Sequence, residues 1–104
     1  MTHDHRKPTV NVLEKVKTVP REPTLYQVIL HNDDYTTMDF VIAVLESVFH
    51  KQPAEAYRLM MEVHVQGRAV CGAYIHEVAE TKVATVGDLA AANGFPLQAS
   101  IEEE

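Results

Sequence analysis

Apolar and polar residues follow two rhythms along this chain, and each change of rhythm marks an element. Leu25-Tyr26-Gln27-Val28-Ile29-Leu30 is rich in β-branched and aromatic types and predicts a strand. Asn32-Asp33-Asp34 ends it, because Asn and Asp side chains favour turns. Thr36, with Asp39 three residues on, has the spacing of a capping box. A helix is expected from about Thr37 to His50, with Val41, Val44, Leu45, Val48 and Phe49 as its inward stripe. Pro53 suits the first turn of a second helix, which runs to about Val65 with Ala56, Leu59, Met60 and Val63 on one face. Gly67 is placed to cap it. Arg68 to Ile75 reads as a strand with Val70 and Tyr74 at strand spacing, and Gly72 marks a bulge or a close approach. A third helix follows from about Glu77 to Asn93 on Ala79, Val83, Val86 and Ala90, although Gly87 inside it costs roughly 1 kcal/mol of propensity. Asn93-Gly94 closes it, Leu97 to Ile101 is the last strand, and Glu102 to Glu104 read as a solvated tail.

The order β-α-α-β-α-β buries its apolar faces most simply as an α+β two-layer sandwich, three helices on a small three-stranded, mostly antiparallel sheet. Residues 1–22 stand apart. Pro8 and Pro20 interrupt them, and Val10, Val12, Leu13, Val16 and Val19 are sparse among charges. Such a segment buries too little to offset its ordering entropy, so it reads as a flexible N-terminal arm with at most a marginal helix over residues 11–17. Residues 23–104 form the core domain.

Composition adds limits. With 104 residues and 46% apolar content there is room for one domain and an ordinary core. No apolar run is long enough to span a membrane, and residues 1–10 lack the apolar stretch of a signal peptide. The single cysteine, Cys71, excludes an internal disulfide, and a cytoplasmic location is the expectation. Residues 1–22 carry a net charge of +2, and residues 23–104 hold four basic and twelve acidic side chains, a balance of −8. An acidic body repels phosphate backbones, which argues against a nucleic acid partner.

Candidate chemistry concentrates at two places. Asn32 and Asp33, between a strand and a helix, supply acceptors and negative charge suited to a primary ammonium; the same residues also serve as plain turn formers. His64, near the end of the second helix, fits either a helix-terminal role or a contact to a bound polar group. Met38, Met60 and Met61 suit core filling or a pocket that adapts to several apolar side chains. His3, His5, His31, His50 and His76 show no ligand spacing, so neither a metal nor another cofactor is expected. No nucleophile–base set or Gly-rich phosphate loop is present, which points away from an enzyme.

Three blocks carry a family resemblance: Tyr26 to Thr36 (YQVILHNDDYT) continued by Met38-Asp39-Phe40-Val41, Leu59 to His64 (LMMEVH) followed by Gln66-Gly67, and Glu77 to Val83 (EVAETKV). Their content and order resemble the ClpS adaptors of the bacterial Clp protease over about residues 23–101. Thr37 stands where a proline is common and Glu62 where a small residue is common. The resemblance implies an N-end-rule adaptor that binds proteins beginning with Leu, Phe, Tyr or Trp and delivers them to the ClpA unfoldase for degradation by ClpP. It implies that Asn32, Asp33 and His64 hold the α-amino group and first peptide unit. It further implies that Met38, Val41, Met60, Val63 and Leu97 line the side-chain pocket, with Met38 as a gate. Glu77 and Lys82, with Tyr35 as a further candidate, would face the N-terminal domain of the unfoldase, and the arm would assist hand-off. Two rivals stand beside this reading. A hydrolase on His64 and Asp33 lacks a third group and oxyanion donors. An interaction domain of ribosomal-stalk type would give Asn32, Asp33 and His64 no special role.

Overall fold

A computed structural model describes residues 23–104, so the reading of residues 1–22 as a flexible arm lies outside the described residues. The elements follow the order β1 (Tyr26–His31), α1 (Met38–Ser47), α2 (Pro53–Gln66), β2 (Arg68–Tyr74), α3 (His76–Asn93) and β3 (Gln98–Glu103). The sheet order is β2-β1-β3, with both pairings antiparallel. This is the expected α+β sandwich. The β-branched run of β1 takes the centre, where Val28, Ile29 and Leu30 are fully buried. Val28 and Leu30 join the main core with Val44, Leu45, Leu59, Met60, Val63, Ala79 and Val86. Alternation puts Ile29 on the other face, with its cross-strand partners Val70 and Ser100. That face also carries the Arg68–Glu102 ion pair at 3.1 Å and the His31 Nε2–Ser100 Oγ hydrogen bond at 2.6 Å.

Three boundaries differ from the sequence reading, each for a local reason, while α3 keeps its expected end. The N-cap of α1 is Thr37, whose hydroxyl accepts from the Phe40 N–H, while the Thr36 hydroxyl donates to Asp33. α1 ends at Ser47 rather than His50: Val48 is the C-cap, and His50 turns the chain through the left-handed region at φ 55°. α3 runs unbroken through Gly87 to a left-handed Gly94, because its stripe of Ala79, Val86 and Ala90 is buried and outweighs one glycine's propensity. The expected tail is strand: Glu102 and Glu103 pair with Gln27 and Tyr26, so ladder hydrogen bonds to the central strand outrank poor strand propensity on an exposed edge.

Gly72 serves both roles offered for it. Val28 opposes Gly72 and Ile29 opposes Val70, so Cys71 is the extra residue of a bulge. Alternation keeps Gly72 and Tyr74 on one face, and the bulge puts Val70 on the opposite one. A Cβ on Gly72 would lie 2.7 Å from the Tyr74 ring carbon Cζ. Gly72→Ala therefore has to displace the Tyr74 ring. The expected cost is about 1–2 kcal/mol of stability by chemical denaturation, and a variant as stable as the parent would show that the ring moves freely.

Candidate functional site

β1 and α2 end side by side. Gly67, left-handed at φ 91°, stops α2, and its carbonyl accepts from the Asn32 N–H at 2.9 Å. That bond brings the end of α2, with His64 in its last turn, against the first residue of the acidic turn. The turn is organised by one carboxylate. Asp33 Oδ1 accepts from the backbone N–H groups of Tyr35 (2.8 Å) and Thr36 (2.7 Å), and Oδ2 accepts from the Thr36 hydroxyl (2.7 Å). Partial burial pushes the Asp33 carboxyl up, but the Thr36 hydroxyl and the Thr36 and Tyr35 amides together outweigh it and hold the carboxyl below its ordinary value. Asp33 is thus a turn former as well as a charge. Because three of its roughly four lone-pair sites are taken, Asp34, exposed on the same hollow, is the carboxylate with more capacity to spare.

The hollow holds about 240 Å³ and is lined by Asn32, Asp33, Asp34, Thr36, Met38, Val41, Met60, Val63 and His64. Its chemistry is divided. Val41, Met60 and Val63 are buried and contribute apolar surface, while the turn and the exposed His64 contribute polar groups. Met38, the first residue of α1, is 45% exposed at the rim. The structure therefore assembles seven of the expected residues: Asn32, Asp33, His64, Met38, Val41, Met60 and Val63. It adds Asp34 and Thr36, which the sequence reading did not assign. The signal for both lay in the run itself, because a turn short enough to be closed by Asp33 must carry its next residues along the same rim.

Leu97 does not line this hollow. It is buried in the core and borders a separate depression beside His31, Val83 and Gly87, because it precedes β3 at the end of the α3–β3 connection. Glu77 and Lys82 are brought together elsewhere. They share a larger, mostly apolar groove of about 560 Å³ with Ser47, Val48, Val78 and Leu89, where α3 passes the far end of α1. This groove is larger than the divided hollow, yet it lacks a convergent set of acceptors, so the smaller recess is the better candidate for a charged small group. Tyr35, 77% exposed, lines neither. No hydrogen bond joins Asp33 to His64 among the described residues, since Asp33 is turned to its own loop. Among those residues no group of three side chains is placed to hold a metal ion, and no helix is long and apolar enough to cross a membrane.

The fold is a small α+β sandwich, and this hollow joins anionic and amide acceptors to an apolar floor. The model of the family described as ATP-dependent Clp protease adaptor protein ClpS matches residues 21–100. The Clp protease adapter ClpS of Desulfotalea psychrophila is 47% identical over 104 residues, the whole of both chains. That of Oleidesulfovibrio alaskensis is 55% identical over 83 residues, 80% of each. The structure of Agrobacterium tumefaciens ClpS2 bound to L-phenylalaninamide superposes with a TM-score of 0.77 at 42% identity, covering 80% of this chain and 100% of that one. The chain belongs to the ClpS family of Clp protease adaptors.

Proposed function

We propose that this adaptor holds the free α-amino group and first side chain of proteins that begin with Leu, Phe, Tyr or Trp, and presents them to the ClpA unfoldase for degradation by ClpP. One observation carries the reading: a single 240 Å³ hollow places Asn32, Asp33, Asp34 and His64 beside a floor of Val41, Met60 and Val63. An N-terminal residue has the matching division, an ammonium with three donors next to an apolar side chain. The relative from Agrobacterium tumefaciens binds L-phenylalaninamide, which carries a free amino group, a phenyl side chain and an amide where the next peptide unit would begin. In the proposed complex the ammonium meets Asn32 and the acidic turn, with Asp34 offering the freer carboxylate. His64 meets the ammonium or the first peptide unit, and Met60 adapts to side chains of different shape.

Magnitudes suit a releasable substrate. Burying a Leu-sized side chain is worth roughly 1.5–3 kcal/mol, and each hydrogen bond to the charged ammonium about 1.5–3 kcal/mol. After the cost of association, an affinity in the micromolar range, on the order of −8 kcal/mol, is expected. Glu77 and Lys82 take the unfoldase role in this proposal, with Tyr35 as a further contact to its N-terminal domain.

The test is titration of a labelled peptide that begins with Leu against its N-acetylated twin. Acetylation removes the charge and two donors, so affinity falls at least about tenfold. Equal binding of the two peptides rejects the proposal.

A further inference from the structure

β3 lies at the edge of the sheet. It pairs with β1 on one side and with no other strand among the described residues. The Glu104 N–H donates to the Leu25 carbonyl. Antiparallel pairing alternates, so Gln98, Ser100 and Glu102 turn their backbone groups to β1, while Ala99, Ile101 and Glu103 turn theirs outward. An open row of this kind is a template for a further strand. A depression of about 460 Å³ opens beside its first half, between Val83 and Gly87 of α3 and Leu97, Gln98, Ala99 and Ser100. It shares no lining residue with the hollow or with the groove of Glu77 and Lys82. The packing of the described residues gives no reason for Gly87. It sits inside a helix, where glycine costs propensity, its φ is not positive, and a Cβ on it would meet nothing within 4 Å. Its bare flank leaves room for a passing chain.

We propose that residues 14–19 of this chain add to the outer edge of β3 as a fourth strand, parallel to it and beside the bare flank of α3. Reach, pattern and charge select this occupant. The preceding chain enters the fold at Leu25, level with Glu104. From there the outer side of β3 is two strand spacings away, about 10 Å, which about four extended residues span. Residues 20–24 supply that length, and Pro20 and Pro23 suit a crossing chain that makes no ladder of its own. In residues 14–19 Val16 and Thr18 alternate with Lys15 and Lys17, the pattern of an edge strand with one apolar face and one charged face. Glu103 and Glu104, at the far end of β3, make no ion pair among the described residues. Residues 15–21 carry three basic side chains, Lys15, Lys17 and Arg21, and no acidic one. A second copy would instead set one acidic body against another. The tether keeps the effective concentration of residues 14–19 high, so weak contacts suffice.

The experiment is amide hydrogen exchange on the full chain and on its double variant Val16→Pro/Lys17→Pro. Two successive prolines remove a donor toward β3 whichever way the strand faces. In the parent the outward amides of Ala99 and Ile101 exchange about fivefold slower than in the variant, as an edge covered about four-fifths of the time requires. Ser100 and Glu102, whose amides face β1, keep their rates and report an intact fold. Gly87→Leu fills the depression from the helix side. It accelerates Ala99 and Ile101 in the same way without loss of stability, since no described neighbour stands within 4 Å. Equal exchange at Ala99 and Ile101 in the parent and the proline variant overturns the proposal. So does protection that survives the prolines and grows with protein concentration, because a second copy then covers the edge. A gain in affinity for a Leu-starting peptide in the proline variant also overturns it, since residues 14–19 then occupied the hollow.

Discussion

Asp33→Ala is expected to lower stability and peptide affinity together, whereas Asp34→Ala lowers affinity alone. Asp33 takes hydrogen bonds from Tyr35 N–H, Thr36 N–H and Thr36 Oγ1, all between 2.7 and 2.8 Å. Its removal leaves the turn without the group that closes it. Hydrogen bonds to a charged acceptor contribute about 1.5–3 kcal/mol each when buried and less in a turn open to water, so a total near 2 kcal/mol is expected at neutral pH. The pH dependence has a definite sign. The folded carboxyl titrates below its ordinary value of 3.8. Its contribution is therefore fully present above 3.8 and is lost as pH falls through the lower folded value. Denaturant midpoints of parent and variant should differ at about pH 7 and converge near about pH 2. Affinity for a Leu-starting peptide should fall about thirtyfold, since a collapsed turn misplaces Asn32 and Asp34 as well. If Asp33→Ala keeps parental stability at neutral pH, the carboxylate is not the organiser of this turn.

The same turn shows how far a chain can be read before its tertiary contacts are known. Thr36 and Thr37 are adjacent hydroxyl residues, and either could cap the helix that follows. The choice falls to Thr37 because Asp33, three residues before Thr36, claims the other hydroxyl. That competition involves side-chain geometry to which hydrophobic periodicity is blind. The sandwich itself was legible because each element carries a strong rhythm and a stop signal: Val28-Ile29-Leu30 for the central strand, Gly67 and Gly94 for the helix ends. Seven residues of the hollow were named through the family resemblance. They sit in two blocks, 32–41 and 60–64, that the Asn32–Gly67 backbone bond draws together. What escaped was decided across long sequence separations. Glu102 and Glu103 become strand only because β1 offers them a ladder. Leu97 has the apolar character of a pocket residue, but the α3–β3 connection delivers it to a different depression. Lys82 looks like a free surface charge on the helix pattern, and only the Val48 carbonyl 34 residues away turns it inward.

Met38→Ala should broaden the choice of first residue. Met38 opens α1 at the rim of the hollow, 45% exposed, above Val41, Met60 and Val63. In the proposed complex its thioether lies across the path of the entering side chain. Leu and Phe branch beyond Cβ and pass it, while Ile and Val carry their branch at Cβ, close to the ammonium contacts, where rotation about χ1 is most restricted. Rejection of β-branched residues is then steric, a clash at the rim rather than a missing attraction at the floor. Shortening Met38 removes the clash. Affinity for Ile- and Val-starting peptides should rise about tenfold, equivalent to ~1.4 kcal/mol. Leu should weaken by no more than about 1 kcal/mol, the contact area of the missing methylenes. Stability should change little, because a half-exposed side chain at a helix start fills no core volume. The decisive measurement is a set of dissociation constants for Leu-, Phe-, Ile- and Val-starting peptides with both proteins. A Leu-to-Ile preference unchanged by the substitution assigns discrimination to the buried walls, Val41 and Met60 first among them, since they are the remaining apolar surfaces that a side chain branched at Cβ would meet.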